Sequence, residues 1–391
     1  MAGGTTVLAG TTKGVFLLES DAARRDWAVR GPYCDGWPIN HVIGDPATGH
    51  LWAAGGGEWP GAGVWRSTDG GESWTLSLLA NGKFDDLLAN DPEVRALVGR
   101  DPHPPAPFSG EIEAMWSIAR AADGALYAGA KPATLLVSRD GGETWAKVQG
   151  LSDHPSRDSW QPGGAGLTLH TIVPAPADPA RLWLGISAAG VFATEDGGAT
   201  WERRNRRDNA GRAPDDGHGH SHSHDAAEVG HCVHNMVRAP GPANEDLLYQ
   251  QNHHGAFRSR DGGRSWQEIS AGLPSTFGFP VAVHPRDPET LWTLPLNGDD
   301  AGRYPPEASA AVWRSRDGGA TWQALRQGLP QGACYFTVLR QAMAVDRRSP
   351  AGLYFGTNSG SVFVSTDEGD TWSEPVRHLP AVLSVEAFER A

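Results

Sequence analysis

Lysine is scarce. Four Lys stand against 29 Arg in 391 residues, and the formal net charge is −13. A nucleic-acid-binding face needs clustered basic charge, so this balance excludes one. The Arg excess, with abundant Ala and Gly, reads as the bias of a GC-rich genome rather than as an interaction signal. Cysteine is scarce too: Cys34, Cys232 and Cys334 are an odd set that cannot all pair. That excludes a full disulfide framework and points to reduced thiols in a cytoplasm. No apolar run approaches the roughly 18 residues of a membrane span, so no membrane partner is expected. Residues 1–14 lack a basic region followed by an apolar core, so no secretory signal is expected.

What is abundant is Gly (50), Pro (29) and Trp (16, against 6 Tyr). Gly and Pro make about a fifth of the chain, below the roughly 25–30% of low-complexity chains. So many Trp are not a disordered composition, and the mixture suits short strands joined by tight turns. The length alone would often mean two or more domains.

An internal repeat decides otherwise. Ser-x-Asp-x-Gly-x-x-Trp recurs six times, with Thr194 replacing Ser once. Its aspartates are Asp69, Asp140, Asp196, Asp261, Asp317 and Asp367, spaced by 71, 56, 65, 56 and 50 residues. The residue types describe a hairpin. The Asp accepts bonds from backbone N–H groups of the turn, the Gly supplies a positive φ, and the Trp anchors the returning strand. An enzyme site does not need six copies, so these aspartates read as turn staples.

The repeats resemble the Asp-box, or BNR, repeats of β-propeller proteins. That group includes sialidases, sortilin-type receptors, two-propeller xyloglucanases and photosystem II assembly factors. The resemblance covers nearly the whole chain and implies an all-β fold, with a glycosyl-hydrolase label that transfers weakly because the repeat is structural.

Each box lies in a longer unit of four strands, as in Thr171-Ile172-Val173 through Asp178-Pro179 to Leu182-Trp183-Leu184-Gly185. Full units start near Ile39, Ala114, Leu169, His234, Val281 and Phe336. Residues 1–31 supply three more strands, with Ser20, Asp21 and Trp27 as a degraded box. Residues 379–391 supply one strand, 381–388. Joined, these make a seventh blade. The expectation is one seven-bladed β-propeller of four-stranded antiparallel blades, a single domain over 1–391, closed by its C-terminal strand.

The boxes join the third and fourth strands on one face. The long connections 75–112, 146–166, 202–230 and 297–310 all fall on the other, around the channel mouth. Loops on a rigid scaffold carry function, so this face is the expected site. His170 and His234 take equivalent early positions on consecutive inner strands, and Asn40, His41 and Glu113 fall near the same place in others.

Histidine clusters here as well. His218, His220, His222 and His224 alternate, and His231, His234, His253 and His254 follow, with Cys232 among them. Imidazole suits Zn²⁺, Ni²⁺ or Cu²⁺, although no paired Cys-x-x-Cys or H-E-x-x-H is present. The fold needs no cofactor; a divalent transition metal such as Zn or Ni is the one expected.

Carboxylates, arginines and aromatics share the face. Glu113, Asp158 and Asp299 are the candidate catalytic acids. Trp37, Arg157, Trp160, Arg303, Tyr304, Tyr335 and Arg340 join Asn40, His41, His170 and His234 as candidate ligand contacts. Sugar rings stack on aromatics, and a glycosidase needs two carboxylates roughly 5–9.5 Å apart. Two readings stand: a propeller with a ligand or metal site at the channel mouth, or a glycoside hydrolase, metal-assisted or not, on the same face. The ligand would be a small molecule, a glycan or a protein. A sialidase clamp would need Arg157, Arg303 and Arg340 to converge, but seven blades and the lack of an early Arg-Ile-Pro segment weaken that analogy. The sequence does not set an oligomeric state.

Overall fold

A computed structural model describes residues 4–207 and 227–389. It contains seven four-stranded antiparallel sheets. The first blade pairs Val382–Phe388 with Thr6–Thr11, followed by Gly14–Ser20 and Trp27–Tyr33. The inner strands of blades two to seven are Ile39–Gly44, Ala114–Arg120, Thr168–Pro174, Val233–Arg238, Gly278–Val283 and Met343–Val345. The ring closes as the repeat arithmetic requires, Thr6 facing Phe388. The last inner strand starts later than Phe336, because 336–342 is largely buried without regular ladder pairing.

The core is a ring of layers. Seven apolar clusters each join two neighbouring blades, as where Trp292 and Leu294 meet Phe355 and Trp372. Aromatics tie one blade to the next. Trp52, Trp183 and Trp292, each second in its strand, donate their indole N–H to the backbone of the following blade's box turn, at Gly141, Gly262 and Glu368. Tyr127, Tyr249 and Tyr354 take the same position in the intervening blades.

The boxes fold as their composition dictates. Ser67 Oγ donates to Asp69 at 2.7 Å, the Glu72 and Ser73 N–H groups donate to the same carboxylate at 3.0 Å, and Gly71 sits at φ 95. The degraded box of the first blade keeps this geometry with shifted residues. Asp21 accepts from Arg25 and Asp26, and Trp27 donates to the carbonyl of Arg24 at 3.2 Å. Arg24 holds the glycine's place at φ 57 and reaches the buried Asp346 of the last blade at 2.6 Å, which seals the ring.

The connections are less loop-like than expected. The 75–112 span begins with the outer strand Thr75–Ala80 and continues into helices Lys83–Asn90 and Pro92–Val98. The 146–166 span contains the outer strand Ala146–Lys147, helix Gln149–Ser152 and a turn at Arg157–Ser159. Most of 202–230, including His218, His220, His222 and His224, lies outside the described residues. Among the described residues no helix is long and apolar enough to cross a membrane.

Candidate functional site

The inner strands share one irregularity. Pairing slips by a residue between Ile39 and His41, Met115 and Ser117, Leu169 and Thr171, and Val233 and Asn235. It also shifts between Gly278 and Val281. Asn40, Trp116, His170 and His234 are therefore bulge residues at matching positions. A bulge re-aims a side chain and is common beside functional sites.

At the channel mouth these strands bound a cavity of about 330 Å³. The loop residues Gly163, Gly164 and Ala165 form one wall, and Cys232, His234, His253, Phe279, Asp299, Arg303 and Arg340 complete it. Arg303 Nε donates to Asp299 Oδ1 at 2.6 Å. Both arginines attend the Phe279 ring, Arg303 at 5.8 Å and Arg340 at 5.0 Å from its centroid. Arg340 differs from Arg303 in having no carboxylate within ion-pair distance among the described residues, and its Nε–H is buried without a hydrogen-bond partner. Burial lowers its pKa, as expected of a cation enclosed without a counter-charge in contact.

His234 is fixed by its neighbours. Its Nδ1 lies 2.6 Å from the Gly278 carbonyl, which only accepts, so Nδ1 carries the proton. The Nε2 lone pair then faces Cys232 Sγ at 3.6 Å. Burial holds the His234 pKa well below the usual range, and the Arg340 charge adds to this. Cys232 is buried with its sulfur 3.2 Å from Ser187 Oγ, and burial pushes its thiol pKa up. The ligating atoms of Cys232, His234 and His253 all lie within 4.8 Å of one another.

Other candidates lie elsewhere. Glu113 is exposed and pairs with Lys131 at 3.2 Å, and Asp158 sits on the outer turn Arg157–Ser159. Neither lines the cavity, where Asp299 is the one carboxylate among the described residues. Arg157 donates to the Ala133 carbonyl at 2.6 Å and covers the buried Trp160 at 4.6 Å, so the three arginines form no common clamp. Trp37 packs edge-on against Trp65, and Asn40 donates to the Met115 carbonyl of the next blade at 2.8 Å. His41 Nδ1 accepts from the Ile118 N–H, and burial lowers its pKa to about 4. His170 lines the central channel, with Nδ1 3.0 Å from Thr171 Oγ1 and Nε2 unpartnered. His231 pairs with Glu228 at 2.7 Å, and His254 packs beside His253 without lining the cavity. Tyr304 meets the exposed Tyr335 edge-on at 5.0 Å.

Gly163 and Phe279, like Pro162, Gly164 and Ala165, line the cavity and were not among the expected residues. Nothing local marks either one, since each matters only once the ring brings it across from Cys232 and Arg340.

No family model matches the chain. It is 22% identical over 240 residues to an oligoxyloglucan-reducing end-specific xyloglucanase of Emericella nidulans, covering 53% of this chain and 26% of that protein. The GH74 xyloglucanase from Xanthomonas campestris matches in structure with a TM-score of 0.62 at 18% identity, over 95% of this chain and 52% of that one. YCF48 from Cyanidioschyzon merolae matches with a TM-score of 0.52 at 14% identity, over 86% of this chain and 85% of that one. The chain thus spans about a quarter of the curated relative and half of the Xanthomonas enzyme. These likenesses are ones of propeller fold.

Proposed function

We propose that the protein is a binding propeller whose channel-mouth cavity takes a small anionic molecule, one bearing a carboxylate or a phosphate. The observation that carries this is Arg340, a cavity-lining cation with no carboxylate in contact among the described residues. Enclosing an unpaired charge is costly, and an anionic ligand offsets that cost through charge-assisted hydrogen bonds. Arg303 stands on the same Phe279 ring as a second donor, oriented by Asp299. Tyr304, next to Arg303 in the chain, and the exposed Tyr335 offer rings on which a sugar could rest, so a sugar acid or sugar phosphate is the favoured size.

The test is a calorimetric comparison of gluconate, glucuronate and inorganic phosphate with neutral glucose, on wild type and Arg340→Met. The acids bind and glucose does not. Arg340→Met weakens the acids by roughly 10- to 100-fold, the value of a charge-assisted bond. Equal binding of neutral and acidic sugars, or wild-type affinity in Arg340→Met, overturns the reading.

Glycoside hydrolysis is the second reading, and the likeness to the xyloglucanases favours it. It asks Asp299 to work with a second carboxylate roughly 5–9.5 Å away. Turnover of xyloglucan oligosaccharides that disappears in Asp299→Asn would move the conclusion to this reading.

A further inference from the structure

We infer that Cys232, His234 and His253 bind a divalent transition metal, zinc in kind, with one coordination position open to the channel-mouth cavity. The three residues sit on one hairpin. Cys232 precedes the inner strand Val233–Arg238, His234 is its bulge residue, and His253 follows the paired strand Leu248–Asn252. The His253 N–H donates to the Cys232 carbonyl at 2.9 Å, which locks the two ends together.

Four observations fit a metal. Tetrahedral zinc, with bonds of about 2.3 Å to sulfur and about 2.0–2.1 Å to nitrogen, sets a sulfur and a nitrogen ligand about 3.5 Å apart. Cys232 Sγ and His234 Nε2 are 3.6 Å apart, too far for a strong hydrogen bond and right for two ligands of one ion. The second nitrogen of His234 donates to a backbone carbonyl, the usual outer partner of a ligating histidine, and this leaves Nε2 bare. Ser187 Oγ lies 3.2 Å from the sulfur, placed to donate to a thiolate. Lastly, a Cβ on Gly163 would meet Ser187 Oγ at 2.5 Å and Cys232 Sγ at 3.6 Å. A side chain at 163 would displace the Ser187 hydroxyl and rest against the sulfur.

The ligand set argues the kind of metal. One thiolate and two imidazoles select zinc-like ions over Mg²⁺ or Ca²⁺, and three protein ligands leave the fourth position for water or a substrate. Metal and thiolate together keep one positive charge. Arg340 and Arg303 add two and Asp299 removes one, so an anion is the natural fourth ligand. Metal binding does not require the anion reading, and the two fail separately.

Cobalt is the probe, added under reducing conditions to the full chain and to a chain lacking residues 217–225, whose histidines would bind metal loosely. Both should take up one Co²⁺ with a thiolate charge-transfer band and the intense visible bands of four-coordinate cobalt, and Zn²⁺ should displace it. Cys232→Ser, close to isosteric, removes the charge-transfer band and weakens binding by about 100-fold or more. Gly163→Leu, which touches no metal ligand's backbone, reduces uptake by covering the sulfur. Arg340→Met keeps the uptake of one Co²⁺ and the thiolate charge-transfer band, which separates this site from the anion reading. A Cys232→Ser protein with the wild-type spectrum, or loss of all uptake on deleting 217–225, overturns the proposal.

Discussion

Asp317, in a box turn, accepts from the Thr321 N–H at 2.8 Å and from Ser315 Oγ at 2.8 Å. Asp299, at the channel mouth, accepts from Arg303 Nε at 2.6 Å. The first carboxylate is satisfied inside its own turn, and the same local bonds bring Asp196 and Asp317 down to about 2. The second is one member of a group drawn from several blades. On the box face, the aspartates are satisfied by residues a few positions away. The mouth differs: among the described residues Arg340 has no carboxylate in ion-pair contact, and His234 Nε2 faces the Cys232 thiol. Repetition builds a scaffold whose box aspartates are already occupied, and the departures from repetition hold the groups still able to bind something.

If that division is real, damage to the scaffold and damage to the mouth should separate. Asp346→Ala is the heaviest blow to the scaffold. It strips the partner from Arg24 and from the Tyr354 hydroxyl in a buried cluster, and should cost about 3–5 kcal/mol in urea unfolding. The protein still folded should bind ligand at the mouth as wild type does; a matched loss of affinity would break the comparison.

The paired variants Asp367→Ala and Asp299→Ala sharpen it. Asp367 staples a partly buried turn by accepting one backbone and two hydroxyl hydrogen bonds, so its loss should cost about 1–3 kcal/mol. Asp299 and Arg303 form a half-exposed pair whose loss should cost about 0–1 kcal/mol while altering ligand binding. Equal costs in thermal unfolding would erase the distinction.

Glu386 carries the comparison into pH. It lines the central channel, and burial pushes its pKa up to about 7, opposite in sign to the box aspartates. The folded value lies above the unfolded one near about 4.3. Its contribution is therefore full below that value and falls away as pH rises through about 7. Glu386→Gln should flatten the decline of stability between these limits, read as melting temperature against pH. An unchanged profile would mean the channel solvates this carboxylate as well as bulk water does.

The scaffold was the legible part. A box needs only Ser, Asp, Gly and Trp in fixed order, so the sequence spells out each turn. The degraded box could be found through Trp27, although Arg24 in the glycine's place and its reach to Asp346 could not. Leu-Trp and Leu-Tyr alternating at the start of the second strands were visible in the chain as well, and mark where each blade grips the next. The mouth was legible only in pieces. The equivalence of His170 and His234 follows from the repeat, and both prove to be bulge residues. That Glu113 and Asp158 stay outside the cavity while Asp299 and Arg340 enter it is a matter of loop direction, which no periodicity encodes.

The pairing of Thr6–Thr11 with Val382–Phe388 bears on how the molecule is made. On a ribosome the first of these segments emerges almost a whole chain before its partner. Gly14–Ser20 can pair with it at once, but its other edge stays open while the intervening blades are synthesised. Throughout that interval the nascent protein carries an unpaired edge strand at each end of an incomplete arc, a template for joining to a neighbouring chain. Arg24 and Asp346 can meet only when the ring shuts, so the seam that seals the finished molecule gives no protection during its synthesis.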